Sequence, residues 1–116
     1  MIAQKYRFHG YGSLRYLYKN GDTIRTRMLT LRSIQNARRQ QPRITVIVAK
    51  KVLKKAVKRN RIRRRLYELL RELLPQLPPQ TDIAVTVFSP ELLVLPHQEL
   101  KEQLVQALER AELLKK

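Results

Sequence analysis

The spacing of hydrophobic residues changes several times along the chain, and each change predicts a different secondary-structure element. The first regular pattern is helical, because Leu14, Leu17 and Tyr18 stand at positions i, i+3 and i+4 of one face. Ser13 precedes this face as a candidate N-cap, and the Asn-Gly pair at 20–21 follows it as a helix stop. A short amphipathic helix is therefore predicted here.

Three later segments carry the patterns of strands. Residues 23–33 alternate with a period of two, which predicts one strand, or two strands with a kink near Met28. Residues 44–49 (ITVIVA) and 81–90 (TDIAVTVFSP) are rich in β-branched residues, so we expect each to be buried on at least one face. The polar residues 35–43 predict a loop.

Two longer helical segments complete the pattern. The first, of more than about 20 residues, joins the strands at 44–49 and 81–90 and ends at Pro75. This order of strand, helix and strand favours a parallel pair with a crossover helix. The second begins at Pro96. Its apolar stripe consists of Leu100, Leu104, Leu108, Ala111 and Leu114. The length of 116 residues fits one domain over residues 1–116.

Positive charge is concentrated in the first part of the chain. Residues 1–65 contain 20 Lys or Arg and one acid, whereas residues 66–116 contain 5 Lys or Arg and 8 acids. Such a field attracts polyanions over a Debye length of about 8 Å at physiological salt, and nucleic acid is the polyanion we expect. An anionic membrane surface is the weaker alternative, because the basic segment lacks the apolar face of an interfacial helix.

The densest run of charge is KKVLKKAVKRNRIRRR at residues 50–65, with ten Lys or Arg and no acid. The helix that follows has an apolar face made of Ile62, Leu66, Leu69, Leu70 and Leu73. Extended upstream at about 100° per residue, this face passes through Lys55, Lys58 and Arg59, where a core helix should be apolar. Charges at i,i+3 and i,i+4 spacing there are all of like sign, which destabilises a helix.

This basic segment is interpreted as a surface for polyphosphate, in which Lys supplies point charges and Arg supplies forks for phosphate oxygens. A solvated basic face is the alternative, although such a face usually mixes Lys with Glu. Asn60 is a poor helix-interior residue whose amide can donate to a phosphate or ribose, or accept from a base or a hydrated metal ion. A tolerated surface asparagine is its other interpretation.

Little in the sequence supports protein-borne catalysis. The chain has no cysteine, which excludes disulfides and thiol chemistry. Asp22 is the only acid in the basic part, and His9 and His97 lie in separate segments, so neither a carboxylate cluster for metal ions nor a paired acid and base is expected. No catalytic or metal-binding residue is predicted. Without a signal peptide or a membrane-length apolar run, we expect a cytoplasmic protein.

Part of the basic segment resembles the signature of the protein subunit of bacterial ribonuclease P. The residues that carry the resemblance are Lys50, Lys51, Ala56, the run RNRIRR at 59–64, and Glu68. Arg7-Phe8 and the helix that ends in YKNG at 18–21 are also similar to that family, and the similarity spans residues 5 to 110. The Arg-Asn-Arg core is specific when a Lys-Lys pair precedes it at this distance.

The resemblance implies a fold and a function. The fold is a single α/β domain with a central mixed β-sheet of about four strands, an αβββαβα order and a left-handed βαβ crossover through the basic helix, against the usual right-handed rule. Catalysis belongs to an RNA subunit, which removes the 5′ leader from precursor tRNA with Mg²⁺ at the RNA active site. The protein binds that RNA and the single-stranded leader, and its cations lower the Mg²⁺ requirement. No DNA or membrane partner is expected.

Two sets of residues in this chain are expected to bind RNA. The first set, for the catalytic RNA, is Lys50, Lys51, Lys54, Lys55, Lys58, Arg59, Asn60, Arg61, Arg63 and Arg64. The second set, for the leader in a cleft between the first helix and the open face of the sheet, is Leu14, Tyr18, Thr30, Arg32, Thr45, Ile47 and Phe88. Strand alternation puts small or polar residues on that face, as for an uncovered surface. For Ile47 and Phe88, burial under the C-terminal helix is an equal alternative.

Two positions depart from the family pattern. The family commonly has an aromatic residue where Leu14 stands, and a basic residue where Tyr67 stands. A small basic ribosomal or RNA-assembly protein without a nuclease role would share the size, the charge and the lack of cysteine. Only the ribonuclease P interpretation also requires an open cleft for single-stranded RNA.

Overall fold

The computed structural model describes residues 11–36 and 41–114. These residues form a four-stranded sheet and three helices in the predicted αβββαβα order. The elements are α1 (Tyr11–Asn20), β1 (Asp22–Arg25), β2 (Leu29–Gln35), β3 (Arg43–Val48), α2 (Ala56–Leu73), β4 (Thr81–Val87) and α3 (His97–Arg110). Short 3-10 helices at Leu74–Gln76 and Pro90–Leu93 follow α2 and β4. None of the helices in this part of the chain is both long and apolar enough to cross a membrane.

The sheet is mixed, with strand order β1-β2-β4-β3. Strand β2 pairs antiparallel with β1 and with β4, whereas β3 lies parallel to β4. Parallel neighbours need a crossover connection, and α2 provides it, as the sequence pattern predicted. The left hand of this crossover stays a prediction from the family resemblance.

One apolar core lies between α2, α3 and one face of the sheet, which we call the core face. The sheet contributes Leu29, Leu31, Ile44, Val46, Val48, Ile83, Val85 and Val87. The helices contribute Ile62, Leu66, Leu69, Leu70 and Leu73 from α2, and Leu100, Leu104 and Leu108 from α3. Each such side chain contributes about 1.5 to 3 kcal/mol when fully buried. The predicted apolar face of α2 is confirmed, and that of α3 is confirmed as far as Leu108. The predicted members Ala111 and Leu114 lie beyond the end of α3, although both still contact the core.

Helix α1 packs against β2 through a close contact at its C-terminal end. The helix stops at Asn20 as predicted, and Gly21 donates its backbone N–H to the Leu17 carbonyl at 2.8 Å. A Cβ atom on Gly21 would lie 2.7 Å from the Leu17 oxygen and 2.8 Å from the Ser33 oxygen, so only glycine fits between α1 and β2. The helix begins at Tyr11, so Ser13 lies inside it and its predicted role as N-cap is wrong.

The alternating segment at 23–33 forms two strands with a tight turn between them. The turn lies at residues 26–28, so the predicted kink near Met28 is confirmed. Thr26 closes this turn, because its backbone N–H donates to the Leu29 carbonyl at 2.9 Å. Its side-chain hydroxyl also accepts from the Leu29 N–H at 3.2 Å and lies 3.0 Å from the Leu29 oxygen. The chain therefore reverses after Arg25, and β1 becomes an edge strand.

Helix α2 is shorter than the sequence predicted. It has 18 residues and starts at Ala56, so the predicted length of more than 20 residues is wrong. Residues 50–55 form a loop instead, in which the backbone N–H groups of Val52 and Leu53 donate to the Ala49 carbonyl at 3.0 and 3.4 Å. Val52 and Leu53 pack against the core at this turn.

Tyr67 belongs to the core of this chain rather than to its surface. The side chain is 3% exposed, and its hydroxyl accepts a hydrogen bond from the Val46 backbone N–H at 3.1 Å. Strand β3 is an edge strand, so this N–H has no partner strand on that side. The departure from the family pattern at Tyr67 therefore provides a hydrogen-bond acceptor for the edge of the sheet.

Candidate RNA interface

The loop after β3 and the first turns of α2 form a cationic surface. Lys50, Lys51, Lys54, Lys55, Lys58, Asn60, Arg61 and Arg64 are exposed, and Arg59 and Arg63 are half-buried. Within residues 11–36 and 41–114, no carboxylate forms an ion pair with any of these cations. The first turn of α2 has no acid, and its N-cap residue Lys55 makes no capping hydrogen bond with its side chain. The positive end of the helix dipole thus adds to the side-chain charges.

Arg59 holds the loop against the helix. One of its guanidinium nitrogens, Nη1, donates to the carbonyl oxygens of Leu53 at 2.9 Å and Lys54 at 2.8 Å. These contacts fix the backbone that carries the lysines of the loop. Arg59 was predicted to contact RNA. This contact stays a prediction for the other two guanidinium nitrogens, Nε and Nη2.

Asn60 and Arg63 form a pair on the exposed side of α2. Arg63 donates from Nη2 to the Oδ1 atom of Asn60, one helical turn away. The acceptor atom of the Asn60 amide is thereby used within the protein. Its NH₂ group is left as a donor on a surface made of cations, which suits a phosphate or ribose oxygen better than a metal ion.

Arg65 is the tenth cation of the basic run, and its guanidinium makes hydrogen bonds within the protein. Its Nη1 atom donates to the Leu92 carbonyl at 2.6 Å, and its Nη2 atom donates to the Leu95 carbonyl. Both carbonyls lie in the 3-10 helix and turn that follow β4, so Arg65 joins that segment to α2. Its charge gave no sign of this in the sequence.

The face of the sheet opposite the core, which we call the open face, carries the second predicted set. Register places Thr30 of β2 beside Thr86 of β4, and Thr86 beside Ile47 of β3. The next row along the strands joins Arg32 to Ala84 and Ala84 to Thr45. The sheet therefore brings the strand members of the predicted leader site onto one surface.

Exposure differs among the residues of the open face. Phe88 is 49% exposed, Ile47 and Thr45 are half-buried, and Thr30 is 2% exposed. Neither Phe88 nor Ile47 belongs to the core beneath α3, so that alternative is not supported. The Thr86 hydroxyl is buried without a hydrogen-bond partner.

Helix α1 forms a wall beside the open face. Tyr18 is 45% exposed, and the guanidinium carbon of Arg32 lies over its ring, 4.5 Å from the ring centroid. Leu17 is fully buried, which anchors the helix, and Leu14 is half-buried. Tyr16 points to a different side of the helix and is 59% exposed. Strand residues of the open face and Tyr18 of α1 therefore border the region in which the cleft is predicted.

A second guanidinium on the open face is already paired. Arg43 donates from Nε and Nη2 to the two carboxylate oxygens of Asp82, each at 2.9 Å, and Asn36 donates to Asp82 Oδ2 at 3.2 Å. Arg43 and Asp82 have side chains that are 11% and 4% exposed. The sequence gave no indication of this pair, because 39 residues separate its members.

The described acids and histidines are the candidate ligands for a metal ion. Within residues 11–36 and 41–114, no group of three or more His, Asp or Glu side chains could hold a metal ion. Glu68 of the family signature accepts a hydrogen bond from Arg71 at 3.0 Å, and this bond together with the Arg71 charge lowers the pKa of the Glu68 carboxyl. Glu68 therefore stays ionised as a surface ion pair of small energetic weight.

Comparisons with known proteins identify the family and the fold of this chain. The sequence model of the family Ribonuclease P matches residues 2–112. No curated protein sequence gives a significant match. A Staphylococcus aureus RNase P protein is similar in structure, with a TM-score of 0.84, 22% identity, and coverage of 95% of this chain and 98% of that chain. The RNase P protein from Thermotoga maritima has a TM-score of 0.74 and 23% identity over 84% of this chain and 89% of that chain.

The solved relatives are below 25% identity and therefore establish the fold alone, whereas the family match covers nearly the whole chain. Ribonuclease P is the ribonucleoprotein that processes the 5′ ends of tRNA, and its protein is an accessory subunit that works with a catalytic RNA. This chain belongs to the bacterial ribonuclease P protein family.

Proposed function

We propose that the two RNA-binding surfaces of this subunit have different ligands. The catalytic RNA occupies the cationic surface at residues 50–64, and the leader of precursor tRNA occupies the cleft between α1 and the open face. The whole chain, residues 1–116, acts as one RNA-binding domain in the cytoplasm. The catalytic RNA is folded and the leader is single-stranded, so both ligands are RNA. Neither a DNA nor a membrane partner is needed.

The observation that carries this proposal is the presence of both surfaces on one small domain. Phosphates of folded RNA need cations without competing acids, which the surface at 50–64 provides. Single-stranded RNA needs exposed rings and a guanidinium, and Tyr18, Phe88 and Arg32 provide these at the cleft. A ribosomal or assembly protein needs only the first surface, and the family match removes the remaining support for that alternative.

Mg²⁺ is proposed to act at the active site of the RNA subunit. The described residues offer it no cluster of carboxylates or imidazoles, so we assign no step to a metal ion held by the protein. The protein contributes cations that neutralise crowded phosphates, and it thereby lowers the Mg²⁺ concentration that the assembled enzyme requires.

The cleft is tested by leader-dependent affinity. The assembled ribonucleoprotein is titrated with precursor tRNA and with mature tRNA, for the wild-type protein and for Tyr18→Ala and Phe88→Ala. We expect each variant to weaken precursor binding about 5- to 100-fold, as for loss of one base stack, and to leave mature tRNA binding unchanged.

Tyr16→Ala is the matched control, because Tyr16 lies on the same helix and is more exposed than Tyr18. Its precursor affinity should equal that of the wild type. Equal losses for precursor and mature tRNA in the cleft variants would remove the leader from this surface.

A further inference from the structure

The open face carries two half-buried guanidiniums whose situations differ. Arg43 is committed to Asp82 through two hydrogen bonds of 2.9 Å, and the same carboxylate also accepts from Asn36. Its charge is therefore balanced inside the protein. Arg32 has no such partner, because no hydrogen bond or ion pair in the described part of the chain uses its guanidinium.

The register neighbours of Arg32 in the sheet carry no charge that could pair with it. In the sheet register it stands between Thr23 of β1 and Ala84 of β4, and both are small side chains without charge. Asp82 lies opposite Ile34, two residues further along the strands, and its oxygens are already used. None of these neighbours in the sheet therefore neutralises the Arg32 charge.

Tyr18 places the face of its ring beneath the Arg32 guanidinium. The Arg32 guanidinium carbon lies 4.5 Å from the centroid of the Tyr18 ring, which is the geometry of a cation–π contact. A guanidinium fork held over a ring keeps its N–H donors for a ligand while losing rotational freedom. Such a fork is preorganised for a ligand that presents two acceptor atoms side by side, as a phosphodiester does.

On this basis we propose that Arg32, held over the ring of Tyr18, anchors one phosphodiester of the RNA leader at the α1 side of the cleft. The inference rests on the proposed function of the cleft and adds the chemical group that is bound and the residue that binds it. Tyr18 then has two roles, since one side of its ring positions Arg32 and the rest is available to a base. The O6 and N7 atoms of guanine are the other pair of acceptors that could fit the fork.

The first experiment separates a planar fork from a simple positive charge. Arg32→Lys retains the charge but loses the planar fork and its contact with the Tyr18 ring, and Arg71→Lys makes the same change at an exposed position in the last turn of α2, outside both proposed RNA surfaces. We expect Arg32→Lys to lower the ratio of precursor to mature tRNA affinity by about tenfold, and Arg71→Lys to leave it unchanged. Tyr18→Ala combined with Arg32→Lys should cost less than the product of the two single losses, because they act as a unit.

The second experiment identifies the bound group. Methylphosphonate linkages, which are neutral, are placed one at a time along the leader of the precursor. A methylphosphonate at one particular linkage should lower the affinity of the wild-type protein by the same factor as Arg32→Lys. The same linkage should cause no further loss of affinity in the Arg32→Lys protein. If every linkage is tolerated and a single guanine substitution has this effect instead, the phosphodiester assignment is overturned.

Two outcomes distinguish a failure of the Arg32 anchor from a failure of the proposed leader cleft. A wild-type protein that does not discriminate precursor from mature tRNA contradicts the leader cleft itself. A wild-type protein that does discriminate, with Arg32→Lys indistinguishable from it, contradicts only the Arg32 anchor. Unchanged affinity of Arg32→Lys for the catalytic RNA verifies that the variant is folded.

Discussion

Arg63 donates a hydrogen bond from its guanidinium to the Oδ1 atom of Asn60, and this contact explains an uncharged residue in the middle of a basic run. The amide is held in one orientation, with its acceptor turned to Arg63 and its donors available to a ligand. An asparagine in this position adds a directional donor to a surface of point charges. It also places Arg63 beside that donor, so the two side chains can bind the same RNA backbone.

Replacing Asn60 by Asp tests the direction of this amide. The carboxylate keeps the bond to Arg63 but loses the donor and adds a negative charge, so affinity for the catalytic RNA should fall about 10- to 100-fold. Filter binding of purified protein to the RNA subunit measures this. Gln106→Glu makes the same change of group on the exposed side of α3, away from residues 50–64, and should alter affinity less than about twofold. A loss in Gln106→Glu of equal size would attribute the effect to net charge alone.

The exposed arginines of α2 are expected to contact phosphate. Arg61→Ala and Arg64→Ala should each reduce the slope of log K against log salt by about 0.7 to 0.9, the value for one lost phosphate contact. The measurement is RNA affinity over a series of salt concentrations. Lys101→Ala, a cation of α3, is the control and should leave the slope unchanged. Identical slopes in all three variants and the wild type would place the RNA elsewhere.

Arg65 should behave differently from its neighbours in the same run. Arg65→Ala leaves the Leu92 and Leu95 carbonyls without their donor, which should lower the free energy of unfolding by about 1 to 3 kcal/mol. Urea denaturation followed by circular dichroism measures the loss. The salt slope of RNA binding should remain that of the wild type, and a reduced slope with unchanged stability would reverse the assignment.

Tyr67 is expected to support the edge of the sheet and not the RNA. Tyr67→Phe keeps the ring in the core but removes the acceptor for the Val46 N–H, so the free energy of unfolding should fall by about 1 kcal/mol. Hydrogen exchange should become faster at the Val46 amide, whereas RNA affinity should not change. A drop in RNA affinity at wild-type stability would mean that the Tyr67 hydroxyl contacts the ligand.

Local patterns in the sequence predicted the elements of this fold but not the contacts between distant ones. Periodicity located the strands and the apolar face from Ile62 to Leu73, because burial on one side imposes a repeat on the sequence. The start of α2 was placed too early, since lysines at 50–55 are compatible with a helix and their pattern does not show the turn that precedes Ala56.

The candidate site was predictable to the same extent. Charge density identified the surface at 50–64, and strand alternation identified the open face. Charge could not distinguish Arg65, which binds two carbonyls, from the exposed Arg64 beside it. Nor could it show that Arg43 is neutralised by Asp82 while Arg32 is not, because those partners meet only when β3 and β4 pair.

Reconstitution with a bacterial ribonuclease P RNA tests the central claim most directly. The protein, the RNA and a labelled precursor tRNA are mixed at a Mg²⁺ concentration too low for the RNA to act alone. The account predicts cleavage at the mature 5′ end only when protein and RNA are both present. A folded protein that binds the RNA tightly but does not restore cleavage would contradict it.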